Sequence, residues 1–193
     1  MPPGLGFVAV NAKAFDWSHQ HAKPRFYWSW FERKSPVQSA RFCGTPPLAH
    51  LAGLETSLRL LQQEGLPAVY ARHQRLGGAV RAAVGAWSTQ GALKLHCQDP
   101  HGFSNSVTAV EVAPGIDPEA LRMVARERFQ VAMAGGLGEL SGRVFRIGHL
   151  GDMNEPMILG ALAGIEAAMR VQKIPYGDQG MTAAIAYLAE HTP

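Results

Sequence analysis

Apolar and polar positions change their rhythm several times along the chain. Residues 7–10, FVAV, form a short apolar run with strand character after a Pro-Pro-Gly turn. Residues 11–44 are rich in aromatics and irregular in period, centred on RFYWSWFE at 25–32. The pattern then becomes regular. Leu48, Leu51, Leu54, Leu58 and Leu61 recur at spacings of three and four, which predicts an amphipathic helix. Thr45 is its expected N-cap, Pro46 and Pro47 suit its first turn, and Gly65 and Pro67 are its expected stop.

A second helix carries Val69, Leu76, Val80, Val84 and Trp87 down one side. ALKLHC at 92–97 and the β-branched stretch 107–112 read as strands. Asp117-Pro118-Glu119 opens a third helix with an N-cap, a proline at the first helical position and a carboxylate in the first turn. VAMA at 131–134 and RVFRIG at 143–148 read as two more strands, separated by the Gly-rich GGLGELSG. Two helices close the chain. One is capped near Asn154, with Ile158, Ala161, Leu162, Ile165 and Met169 on its buried side, and the other covers 178–190. Gly160 and Gly164 on the first of these predict close packing against a neighbour. This order of elements predicts an α/β or α+β fold with a mostly antiparallel sheet covered by helices.

Composition narrows the function mainly by exclusion. A 193-residue chain with 47% hydrophobic and 17% charged residues is an ordinary globular protein of one domain, or one and a fraction. The net charge of +3 is scattered; its densest basic stretch, Arg72-His73-Gln74-Arg75, reads as a solvated helix face and not a nucleic-acid footprint. Cys43 and Cys97 lie far apart and form neither a CxxC nor a disulfide framework. Residues 157–171 come nearest to a membrane span, but Glu166 and Arg170 interrupt them. With no charged-then-apolar leader either, the chain is expected to be soluble and cytoplasmic.

Catalytic signatures are scarce. The eight histidines show no metal-ligand spacing, and His19 and His21 are expected in a loop, so no metal is expected. GGLGELSG is no dinucleotide fingerprint, because a strand follows it where a phosphate-binding helix should begin. No Ser or Cys sits on a nucleophile elbow. Trp28 and Trp30 read as core or interface. Arg146 does need explaining: alternation in RVFRIGHLGD puts it on the face of Val144 and Gly148, and a guanidinium on an apolar strand needs an anionic partner. That partner is either an acid of this chain, such as Asp152 or Glu155, or the carboxylate of a substrate gripped by two parallel hydrogen bonds.

The segments PPGLGFVAV, ARHQRLGGAVRAAVGAW, LHCQDP, AGGLGELSGRVFRIGHLGD and FRIGHLGDMNEPMILGALAGIEAAM together resemble the class V pyridoxal-phosphate aminotransferases, nearest their serine–glyoxylate and alanine–glyoxylate group. The resemblance runs in order over essentially the whole chain. It implies the C-terminal half of a fold type I transferase: residues 1–65 as the tail of the large cofactor-binding domain with its connecting helix, and 66–193 as the small C-terminal domain. In that family PPGL follows, by a few residues, the lysine that forms the Schiff base with the cofactor. Lys13, Lys23, Lys34, Lys94 and Lys173 lack that setting. The resemblance therefore implies no catalytic lysine in this chain and no turnover by it alone.

Two positions carry over. Thr45 matches the family threonine that reaches the cofactor phosphate from a neighbouring subunit, although Phe42, Cys43 and Gly44 lack the tyrosine that usually precedes it. Arg146 matches the arginine that binds the substrate α-carboxylate. The expected ligands are pyridoxal phosphate, an amino acid and a 2-oxo acid. The expected partners are a second copy in a homodimer and, as a further candidate, a separate N-terminal half, with no nucleic acid and no membrane. The alternative is a binding or dimerisation module that kept the small domain and lost the chemistry.

Overall fold

Long helices form where the apolar spacing is three and four, and the chain divides into two units at the glycine between the first pair. Gly65 closes its helix at a φ of 85°, which glycine enters without a Cβ clash. The computed structural model describes residues 3–21 and 23–192. Its two units are Met1–Gly65 and Leu66–Pro193.

The first unit holds α1 (Ala12–His21), α2 (Trp30–Arg33), α3 (Gln38–Arg41) and α4 (Leu48–Glu64). Residues 7–10 take no regular secondary structure and join no sheet, since a four-residue run needs a neighbouring strand to take up its backbone groups. The turn expected before them lies partly outside the described residues. His19 and His21 stand on α1, not in a loop, and stack on Phe31 and Trp17 at 4.1 and 4.8 Å. None of this unit's described residues is buried. Trp28, expected in a core or interface, is 73% exposed, and Leu48 and Leu58 of the leucine stripe are exposed too.

In the second unit Pro67 begins a helix instead of ending one. It is the second residue of α5 (Leu66–Trp87), where no backbone N–H is needed. As the spacing predicts, α5 buries Val69, Leu76, Val80, Val84 and Trp87. The sheet has four antiparallel strands in the order β1 (Leu93–Leu95), β2 (Val107–Val112), β4 (Val144–Gly148), β3 (Ala134–Gly135). Between β2 and β3 runs α6 (Pro118–Phe129), capped by Asp117, which accepts from Glu119 N at 2.8 Å. Strand β3 is shorter than VAMA promised. Gln130 ends α6 in the left-handed region and Val131 N still bonds back to Ala125 O, so residues 131–133 are occupied in leaving the helix.

The chain closes with α7 (Glu155–Val171) and α8 (Gly180–Glu190). Asn154 caps α7 through Met157 N at 3.0 Å. Helices α5 to α8 contribute to one apolar cluster with Val110, Phe145 and Ile147 of the sheet. Of the glycine pair on α7, Gly164 packs against Val131, whereas Gly160 faces open space.

Candidate functional site

Strand β4 is an inner strand whose two faces differ. Phe145 and Ile147 enter the core and are 0% and 4% exposed, so alternation turns Arg146 to the opposite face. Its cross-strand neighbours there are Ala109 on β2 and Ala134 on β3. Side chains of directly paired residues share a face, and two alanines leave room for a guanidinium to lie across the sheet. Arg146 is half-buried, and its Nε donates to the carbonyl of Gly135 at 2.7 Å. Among the described residues no carboxylate pairs with it. Glu155 instead meets Arg75. The two terminal nitrogens are thus left without an anion among the described residues, and the acid partner offered by Asp152 or Glu155 is not realised.

The loop after β4 is held by the basic stretch of α5, which is not a solvated face. Arg72 Nη1 donates to Gly151 O and Met153 O at 2.8 and 3.0 Å. Buried His73 donates from Nδ1 to Val69 O at 2.6 Å and accepts at Nε2 from Gly151 N at 2.9 Å. Arg75 pairs with Glu155, whose carboxyl is held below the usual range first by its own backbone N–H and then by Arg75. His149, 0% exposed, closes the set. Its Nδ1 donates to Asn105 O at 3.0 Å and its Nε2 accepts from the Thr108 hydroxyl at 2.9 Å. Both rings are therefore neutral with the proton on Nδ1. Burial first, and the nearby Arg81 guanidinium after it, push the His149 pKa down to about 4 against the opposing bond to Asn105 O. These residues were missed as a group. Their spacing on α5 was visible, but their partners lie on a loop remote in sequence.

Thr45 lies in the first unit and Arg146 in the second. Thr45 is exposed and does not cap α4, whose N-cap is Pro47. The residue before a proline is biased away from helical geometry, so Pro46 cannot begin a helix ahead of Pro47. No side chain caps α4, and Thr45 has no hydrogen-bond partner among the described residues. Among the described residues no group of three His, Cys, Asp or Glu side chains could hold a metal ion. No helix there is long and apolar enough to cross a membrane.

A four-stranded antiparallel sheet packed with four helices makes the second unit an α+β domain, and its inner strand β4 carries an arginine with no carboxylate partner among the described residues. Comparison with known proteins narrows this further. No family model matches the chain. It is 38% identical over 198 residues to the serine–glyoxylate aminotransferase of Methylorubrum extorquens, an alignment covering 99% of this chain and 48% of that protein. It is 42% identical over 172 residues to the serine–glyoxylate aminotransferase of Hyphomicrobium methylovorum, covering 88% and 42% respectively. Among solved structures, the pyridoxamine–pyruvate aminotransferase of Mesorhizobium loti superposes with a TM-score of 0.82 at 30% identity, covering 95% of this chain and 47% of that one. The chain is thus similar to serine–glyoxylate aminotransferases, and it spans about half the length of the curated relatives it matches.

Proposed function

We propose that this chain supplies the substrate-carboxylate site of a class V pyridoxal-phosphate aminotransferase that moves an amino group from serine or alanine to glyoxylate or a similar 2-oxo acid. The observation that carries this reading is Arg146. It is fixed by Nε to Gly135 O, and its two terminal nitrogens have no acid partner among the described residues. Such a fork binds a carboxylate through two parallel charge-assisted hydrogen bonds and so fixes the plane of the substrate. Thr45, with the first turn of α4, would hold the cofactor phosphate. When bound, pyridoxal phosphate supplies the electron sink that lets the amino group move. The exposed apolar residues of the first unit, Trp17, Phe26 and Trp28 among them, support a cover by further protein, as in a homodimer or beside a large domain. A cytoplasmic setting goes with this reading.

None of the five lysines has the family's setting, so the chain alone is expected not to turn over. The test adds pyridoxal phosphate to the purified chain, reduces with borohydride and maps any pyridoxyl-lysine by peptide mass spectrometry. Then the N-terminal half of a serine–glyoxylate aminotransferase is supplied and transamination measured. No site-specific adduct is expected from the chain alone. Activity is expected on complementation, falling about 100-fold in kcat/KM with Arg146→Gln, the loss of charge-assisted hydrogen bonds worth about 3 kcal/mol. A stoichiometric adduct on one of the five lysines would overturn the claim of inactivity. Complemented activity indifferent to Arg146→Gln would remove Arg146 from the site.

A further inference from the structure

The first two glycines of the Gly-rich stretch GGLGELSG cannot be replaced freely. A Cβ on Gly136 would collide with Leu140 O, and one on Gly135 would lie 2.7 Å from both Arg122 Nη1 and Glu119 Oε1. An ion pair from α6, Arg122 with Glu119 one turn earlier, therefore sits directly on the Gly135 backbone. From the same position Arg122 Nε donates to Met133 O at 2.9 Å.

Strand register says what this contact does. β3 is an edge strand of two residues, Ala134 faces Arg146 in the ladder, and Gly136 N donates to Val144 O. Even-numbered residues thus spend their backbone groups on β4, and the carbonyls of Met133 and Gly135 point to the free edge. Each is taken by an arginine: Met133 O by Arg122 and Gly135 O by Arg146. So short an edge strand has little ladder of its own to fix it.

We infer that Arg122 is a positioning residue for Arg146: by clamping the backbone of residues 133–135 it fixes the Gly135 carbonyl that aims the Arg146 guanidinium. Its functional consequence rests on the reading of Arg146 as the carboxylate fork. Arg122 touches no substrate and acts only through β3.

The test uses the full 193-residue chain with isotopically labelled arginine. The Arg146 Nε–H resonance is assigned by its loss in Arg146→Lys, and its exchange with water is measured with and without glyoxylate. In the unsubstituted chain it should exchange about tenfold more slowly than exposed arginines and should shift on adding glyoxylate. In Arg122→Gln the protection should disappear and glyoxylate affinity fall about tenfold, while the buried Trp87 indole resonance stays in place. Arg122→Lys, which still reaches Met133 O, should keep most of the protection. Gly135→Ala, which keeps both arginines but pushes the Arg122 head aside, should lose part of it. An Arg146 resonance as protected in Arg122→Gln as in the unsubstituted chain overturns the inference. Should Arg122→Gln fail to fold, unchanged protection in Gly135→Ala overturns it equally. If glyoxylate leaves the Arg146 resonance unmoved in the unsubstituted chain, the carboxylate reading fails, while the exchange comparison still decides whether Arg122 positions Arg146.

Discussion

Acidification should destabilise the second unit through His149 before it neutralises the carboxylates. The ring is buried, accepts from Thr108 and donates to Asn105, so it folds neutral. Its pKa falls from 6.5 to about 4, chiefly by burial. A depressed folded-state pKa means that the unfolded chain takes up a proton first as pH drops. The stability tied to the neutral ring is complete above pH 6.5 and is lost progressively down to about pH 4. With about 1.4 kcal/mol per pKa unit, the full loss is about 3 kcal/mol, and roughly 2 kcal/mol of it is gone by about pH 5. Urea unfolding followed by far-ultraviolet circular dichroism should show the midpoint falling between about pH 8 and pH 5 by an amount equivalent to roughly 2 kcal/mol. In His149→Gln, whose amide can accept from Thr108 and donate to Asn105 without titrating, that pH dependence should flatten. The carboxylates of Glu111 and Glu155, held low chiefly by Lys94 and by the Glu155 backbone N–H, lose their contributions only at more acid pH. A His149 ring resonance titrating near the ordinary histidine value, or equal slopes in the two proteins, would refute the reasoning.

Two further substitutions probe the frame that carries the site. Trp87→Phe removes the indole N–H that donates to Glu166 Oε1 at 2.8 Å; leaving that carboxylate one donor short should cost about 2 kcal/mol in the same unfolding assay. Phe145→Ala empties the core face of β4 beneath the Gly135 contact, where Phe145 is fully buried. It should cost about 4 kcal/mol and lower the thermal midpoint well below that of Asn154→Ala, which loses only a helix cap worth about 1 kcal/mol.

How far the sequence alone reached depended on how locally each feature is determined. Helix α5 was legible because one stripe of side chains sets its burial, and α6 and α7 because Asp117 and Asn154 cap them within three residues. β2 and β4 could be read from β-branched residues and alternation, but β3 could not. How much of 131–134 pairs depends on how α6 unwinds at Gln130, which period does not record. Thr45 failed as a cap because two successive prolines delay the helix until Leu48, an effect that a preference table for single positions overlooks.

The stretch Arg72 to Arg75 shows the harder limit. Charge and helical period made it a solvated face, whereas its donors close on the backbone of residues 151–153, seventy-nine or more positions away. A main-chain carbonyl carries no residue identity, so a cation's bond to one leaves no partner type for a reader of sequence to find. The same holds for Arg122 on Met133 and Arg146 on Gly135. Of Arg72, Arg122 and Arg146, Arg72 gives Nη1 to two carbonyls and Arg122 gives Nη1 to Glu119, whereas Arg146 has both terminal nitrogens clear of carbonyls and acids among the described residues. That difference, not the presence of arginine as such, is what separates a frame residue from a candidate carboxylate fork.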